Sequence, residues 1–64
     1  MKRITNLKRA RFERGLQQRE LSRRARIRQP LLSEFESGKL IPGPELKIRL
    51  AKVLRVPLDW LFQD

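Results

Sequence analysis

The stretch Gly15-Leu16-Gln17-Gln18-Arg19-Glu20-Leu21, a break at Arg26, and then Leu32-Ser33-Glu34-Phe35-Glu36-Ser37-Gly38 decides the fold. Leu16-Gln17 reads as a short joint after Gly15, a good helix terminator. From about Gln18 to Ala25, Leu21 and Ala25 stand at an i, i+4 spacing that puts both on one helix face, with Arg19, Arg23 and Arg24 on the other. Ala25-Arg26-Ile27-Arg28 reads as a short break. A further helix starts near Gln29, with Pro30 in its first turn, where a missing N–H costs little, and stops at Ser37-Gly38. Its apolar residues are Leu32, Phe35 and the neighbouring Leu31. Two short helices joined by a tight turn, the second apolar on one side only, is helix-turn-helix geometry. For it to work, Leu21 and Ala25 must pack on Ile27, Leu32 and Phe35. The outer face of the second helix must stay free of bulk so that it can enter a DNA major groove.

Working outward, Thr5 and Asn6 are both capable N-caps for an earlier helix, with Leu7, Ala10, Arg11 and Arg14 at helical steps up to Gly15. Its apolar stripe is thin, and Phe12 lies off it, so Phe12 is expected to need a neighbour from elsewhere in the chain. Lys39 to Gly43 is a loop. Pro44 to Leu54 is a fourth helix with Leu46, Leu50, Val53 and Leu54 on its core side, and Lys47 is expected to snorkel past Leu46. Val56-Pro57 breaks the chain again, and Leu58, Trp60, Leu61 and Phe62 form a last apolar turn. The expectation is an all-α, compact five-helix domain spanning residues 1–64 as a single unit.

Sixteen Lys and Arg stand against seven Asp and Glu in 64 residues, a formal net charge of +9. All of it belongs to the first half. Residues 1–28 hold eleven cations and two anions, whereas residues 29–64 hold five of each. A one-sided cationic surface is the electrostatic footprint of a polyanion binder. The chain has no Cys, His or Tyr, which removes thiolate chemistry, the commonest general base and the commonest metal ligand. Catalysis is therefore close to excluded, and no metal or other cofactor is expected. No apolar run approaches the ~20 residues needed to span a bilayer, so a cytoplasmic protein with no membrane partner is expected. Hydrophobic residues at 39%, with Trp60 and three Phe at helical spacing, argue against a disordered basic tail.

The chain resembles the lambda-repressor-like (Xre-type) helix-turn-helix family, whose motif runs Gly-Leu-Ser/Thr-Gln-x-x-Leu-Ala, a turn, then a recognition helix ending in Glu-x-Gly. The likeness extends from Ile4 to Val56-Pro57-Leu58-Asp59-Trp60-Leu61-Phe62, which resembles the family's closing segment. It implies a five-helix DNA-binding domain that acts on double-stranded operator DNA as a homodimer, as a transcriptional regulator and by expectation a repressor. By position, Gln18 matches a glutamine that meets a phosphate. Gln29, Pro30, Ser33 and Glu34 match the exposed, base-reading positions of the recognition helix. Among them Gln29 suits adenine N6 and N7, and Glu34 suits cytosine N4. Arg28, Lys39 and Arg19 are candidates for phosphate contacts. Arg11 and Glu36 match a structural salt bridge that would also present Arg11 toward phosphate.

Three positions depart from the pattern. Arg26 stands where the family has Gly, and a left-handed Arg there would carry ~1–2 kcal/mol of strain. Arg28 replaces a Ser or Thr N-cap, forfeiting ~1 kcal/mol. Pro30 and Leu31 replace polar residues and offer apolar contact, for example to a thymine methyl. Arg23 and Arg24 are read as either solvated or phosphate-bound, and Glu20 as paired with a neighbouring Arg. Trp60 is expected in the core or a dimer interface, with Leu58 and Phe62 as further interface candidates. The chain suits a stand-alone regulator or the DNA-binding piece of a longer one. Two rival readings are an antitoxin-type module that also binds a protein partner, and a non-specific nucleic-acid chaperone.

Overall fold

The computed structural model describes residues 4–63; Lys2, Arg3 and Asp64, counted in the charge balance, lie outside the described residues. Five helices follow one another: α1 (Asn6–Glu13), α2 (Gln18–Ala25), α3 (Gln29–Ser37), α4 (Pro44–Leu54) and α5 (Leu58–Leu61). Of the two candidate caps for α1, Thr5 is the one used. Its Oγ1 accepts the Lys8 N–H at 3.2 Å and donates to the Glu36 carbonyl at 2.7 Å, so one hydroxyl starts α1 and fastens it to the end of α3. Asn6 is already helical, and its side-chain amide donates to the Trp60 carbonyl at 2.7 Å, holding α5 against α1. Pro44 opens α4 behind Gly43, where the absent N–H has no helical partner to lose.

The core takes one leucine from each of four helices and two from α4: Leu7, Leu21, Leu32, Leu50, Leu54 and Leu61 are all under 2% exposed. Ala25 and Ile27 are buried on either side of Arg26 and pack the α2–α3 turn onto Leu32 and Phe35. Trp60 and Phe62 pack against this core from its edge. No helix among the described residues is long and apolar enough to cross a membrane.

Five expectations are corrected. Phe12 finds no distant neighbour. It is 57% exposed, and the charged ends of Arg11 and Lys8, on its own helix, lie 4.7 and 6.0 Å from its ring centre. Phe62 falls just past α5 rather than within its turn, and Lys47, rather than simply passing Leu46, sets its ammonium 5.5 Å from the Phe62 ring centre. Glu20 accepts the Gln17 backbone N–H at 3.2 Å and forms no ion pair among the described residues, because the exposed amides of the α2 start are closer partners than any arginine. Arg11, expected to turn partly outward, is only 7% exposed, because its guanidinium is drawn inward by a buried carboxylate.

Candidate nucleic-acid interface

α2 and α3 pack on each other through Leu21, Ala25, Leu32 and Phe35, and the turn between them is made by Arg26 and Ile27. Arg26 adopts the left-handed conformation, φ 58° and ψ 47°, which bends the chain sharply enough to start α3 three residues later, at Gln29. Arg28 then occupies the N-cap of α3 in an extended conformation with no side-chain hydrogen bond to the helix, so its guanidinium is exposed and uncommitted at the helix start.

The inner side of α3 buries Leu32, Phe35 and Glu36. At about 100° per residue, Pro30, Ser33, Glu34 and Ser37 gather on the opposite side, and all four are exposed. Arg28, Pro30, Leu31, Ser33 and Glu34 border one open hollow at the start of the helix. Lys39, also exposed, stands just past its end. α3 contains no Lys or Arg, so the cations nearest to it in sequence bracket it rather than project from it.

A chain of polar side chains runs from the interior to the tip of α3. Arg11 donates from Nε and Nη2 to the two carboxylate oxygens of Glu36 at 2.7 and 3.1 Å, a bidentate buried pair, and its Nη1 donates to the Leu16 carbonyl at 3.0 Å. Glu36 Oε1 also accepts from Gln18 Nε2 at 3.2 Å. Gln18 Oε1 in turn accepts from Gln29 Nε2 at 3.4 Å. The carboxylate thus orients Gln18, and Gln18 orients Gln29. After these bonds, Gln29 still has its Oε1 and one Nε2 hydrogen free. That pair matches the N6 donor and N7 acceptor of adenine.

Of the residues singled out from the sequence, Gln18, Gln29, Arg28, Pro30, Ser33 and Glu34 meet along α3 and the adjoining start of α2. Arg19, Arg23 and Arg24 are exposed on α2, as expected for a solvated or phosphate-facing side. Leu58 is 39% exposed while Trp60 and Phe62 are half-buried, so most of the apolar area at this end is already used by the core. More open are Leu40 and Ile41, at 45% and 74%, in the loop after α3. Leu40, Ile41 and Phe62 line a common small cavity. Sequence periodicity gave no sign of this, because a loop carries none. It also missed Arg14 and Arg49. Arg14 donates to the Leu54 and Arg55 carbonyls at 2.7 and 3.1 Å, and Arg49 donates to the Ala25 and Arg26 carbonyls at 3.1 and 3.2 Å.

A comparison with curated proteins returns no match. The helix-turn-helix family matches residues 7–61, which takes in all but the first residue of α1 and everything after it through the end of α5. With its five helices, its α2–turn–α3 unit and its exposed α3 face, the chain belongs to the lambda-repressor-like (Xre-type) helix-turn-helix family of DNA-binding transcription regulators.

Proposed function

We propose that the protein is a sequence-specific repressor that binds double-stranded operator DNA as a homodimer and carries out no catalysis. α3 enters the major groove, with Gln29, Pro30, Ser33 and Glu34 toward the base edges. Arg28, Arg19 and Lys39 meet phosphates on either side. Gln18 supports Gln29 and offers its remaining N–H to a phosphate at the start of α2, where free backbone amides favour an anion. Arg11 is assigned to holding Glu36 rather than to DNA, since its fork is turned inward. The dimer is proposed to form at the end bearing Leu58, Trp60 and Phe62, extended by the neighbouring Leu40–Ile41 loop.

The observation that carries this reading is the Glu36–Gln18–Gln29 chain, which sets an amide at the tip of α3 with one donor and one acceptor still available. The test begins by selecting bound duplexes from a random pool. Gln29→Ala should then weaken the selected site by about 1–3 kcal/mol and relax choice at one base pair. Arg28→Ala should weaken selected and random duplexes alike. About six neutralised phosphates give a slope of log K against log salt near −5. Equal behaviour of the two variants, or a flat salt titration, would refute the assignment.

A further inference from the structure

Arg14, Leu16, Arg24, Lys52, Val53 and Arg55 line a surface hollow of about 440 Å³. Three stretches distant in sequence bring them together: the end of α1 with the joint after it, the outer side of α2, and the end of α4. Four of the six are cations and none is an acid. No described carboxylate lies within ion-pair distance of any of the four, since the Arg11–Glu36 pair is the only one among the described residues. Arg14 is fixed in place by its bonds to the Leu54 and Arg55 carbonyls, while Leu16 and Val53 are half-buried between the charges.

This hollow is not the face that α3 presents. Gln18 marks the side of α2 that looks toward α3. Arg24, six residues on at about 100° each, lies about 240° around the helix, on a different side. α4 makes its main contacts with α2 and α5, not with α3.

Gathering like charges opposes folding unless an anion offsets them. Arg55, one of the four cations, closes the end of α4. Its φ of 58° is a conformation that disfavours any residue with a Cβ, and glycine closes the ends of α1 and α3 in the same region without that strain. That bend sets Arg55 at the rim of the hollow, beside Arg14, which bonds its carbonyl. We propose that this hollow binds a small anion bearing several phosphate groups. Guanidinium forks match phosphate oxygens in pairs, and four positive charges call for more than a single phosphate. The hollow is open and spanned by only six residues, which suits a small solute.

The test is a titration of the full chain with sodium triphosphate, followed by backbone amide NMR. Saturable shifts should centre on Leu16, Arg24, Val53 and Arg55. Arg55→Gly should weaken triphosphate binding about three- to fivefold, near the upper end of what one exposed ion pair supplies. Because it also relieves strain, any loss cannot be blamed on unfolding. Arg26→Gly is the control: it removes the same charge and the same left-handed strain but lies outside the hollow, and should leave the affinity unchanged. A parallel titration with ATP separates sources. Equal affinity assigns the site to the phosphates alone, and tighter ATP binding adds a ring packed on Leu16 and Val53. Equal weakening by both variants would reduce the effect to net charge and overturn the site. So would shifts centred on Arg28 and Gln29, or no saturable shifts at all.

Discussion

The helices α1 and α3 end on glycine, whereas α2 and α4 end on arginine, yet all four ends have one shape. Gly15, Arg26, Gly38 and Arg55 have φ of 68°, 58°, 83° and 58°. In each, the N–H of the following residue bonds to the carbonyl five residues back: Leu16 to Arg11 at 3.1 Å, Ile27 to Ser22 at 2.9 Å, Lys39 to Glu34 at 3.0 Å and Val56 to Ala51 at 3.2 Å. The arginine ends carry an addition. Arg49 reaches from α4 to the carbonyls of Ala25 and Arg26, and Arg14 reaches from the end of α1 to those of Leu54 and Arg55. Each guanidinium bonds the left-handed residue and the one before it. It also places positive charge at a helix C-terminus, where the macrodipole favours it. The glycine-ended helices are joined differently, by the buried Arg11–Glu36 pair and by Thr5 donating to the Glu36 carbonyl. A backbone strained by ~1–2 kcal/mol at each arginine is therefore offset by charge-assisted bonds that arrive from another helix.

The largest effect is expected from breaking the link between the glycine-ended helices. Glu36→Ala leaves Arg11 buried and unpaired, and also removes the acceptor for Gln18. A loss of about 3–5 kcal/mol is expected, read as a lower denaturant midpoint at unchanged m-value. The links to the arginine-ended helices should be weaker because they are more open to water. Arg49→Ala and Arg14→Ala each remove two bonds to carbonyls, for an expected loss of about 1–2 kcal/mol. If either cost as much as Glu36→Ala, the two kinds of link would not differ in the way their burial indicates.

The same contrast explains what could be read from the chain alone. Gly15, Gly38, Pro30, Pro44 and Pro57 each announce a helix boundary, because their backbone preferences are local. The five helices were legible for that reason, as was the exposed face of α3, which follows from the spacing of Leu32 and Phe35. Arginine announces no left-handed turn. Arg26 drew attention only because the resembling family has glycine there, and Arg55 drew none. Nor could spacing show that Arg14 and Arg49 turn back to carbonyls 40 and 24 residues away. In the candidate site, Gln29 and Gln18 were visible as separate positions, but the bond between them, and the anchoring of Gln18 on Glu36, depend on tertiary packing. The cationic hollow, drawn from three separate stretches, was invisible for the same reason.

Exchanging residues between the two kinds of ending should give changes of opposite sign. Arg26→Gly and Arg55→Gly relieve strain but free the unfolded chain, so each should stabilise by a net ~0.5–1 kcal/mol. Gly38→Ala should destabilise by about 1 kcal/mol, as should Gly15→Ala. A Cβ at Gly38 would meet only Thr5 Cγ2, at an ordinary 3.9 Å, so the penalty there is one of backbone conformation rather than space. Thermal midpoints of the four variants should split into two higher and two lower than the parent. Four shifts in one direction would show that the shared φ hides unequal strain.

The smallest effect tests whether the added guanidinium acts on the strain itself. Arg49 bonds both carbonyls that flank the left-handed bend at Arg26. If those bonds hold a bend that would otherwise open, relaxing it with glycine should make them less necessary. Arg49→Ala would then cost less in the Arg26→Gly background than in the parent, by about 0.5 kcal/mol in a double-mutant cycle. If the bonds instead serve only to satisfy two helix-end carbonyls, the same carbonyls remain after the exchange and the costs should add. Additivity within error would therefore separate the closing of the helix from the holding of the turn, and would leave the left-handed Arg26 supported by the burial of Ile27 rather than by Arg49.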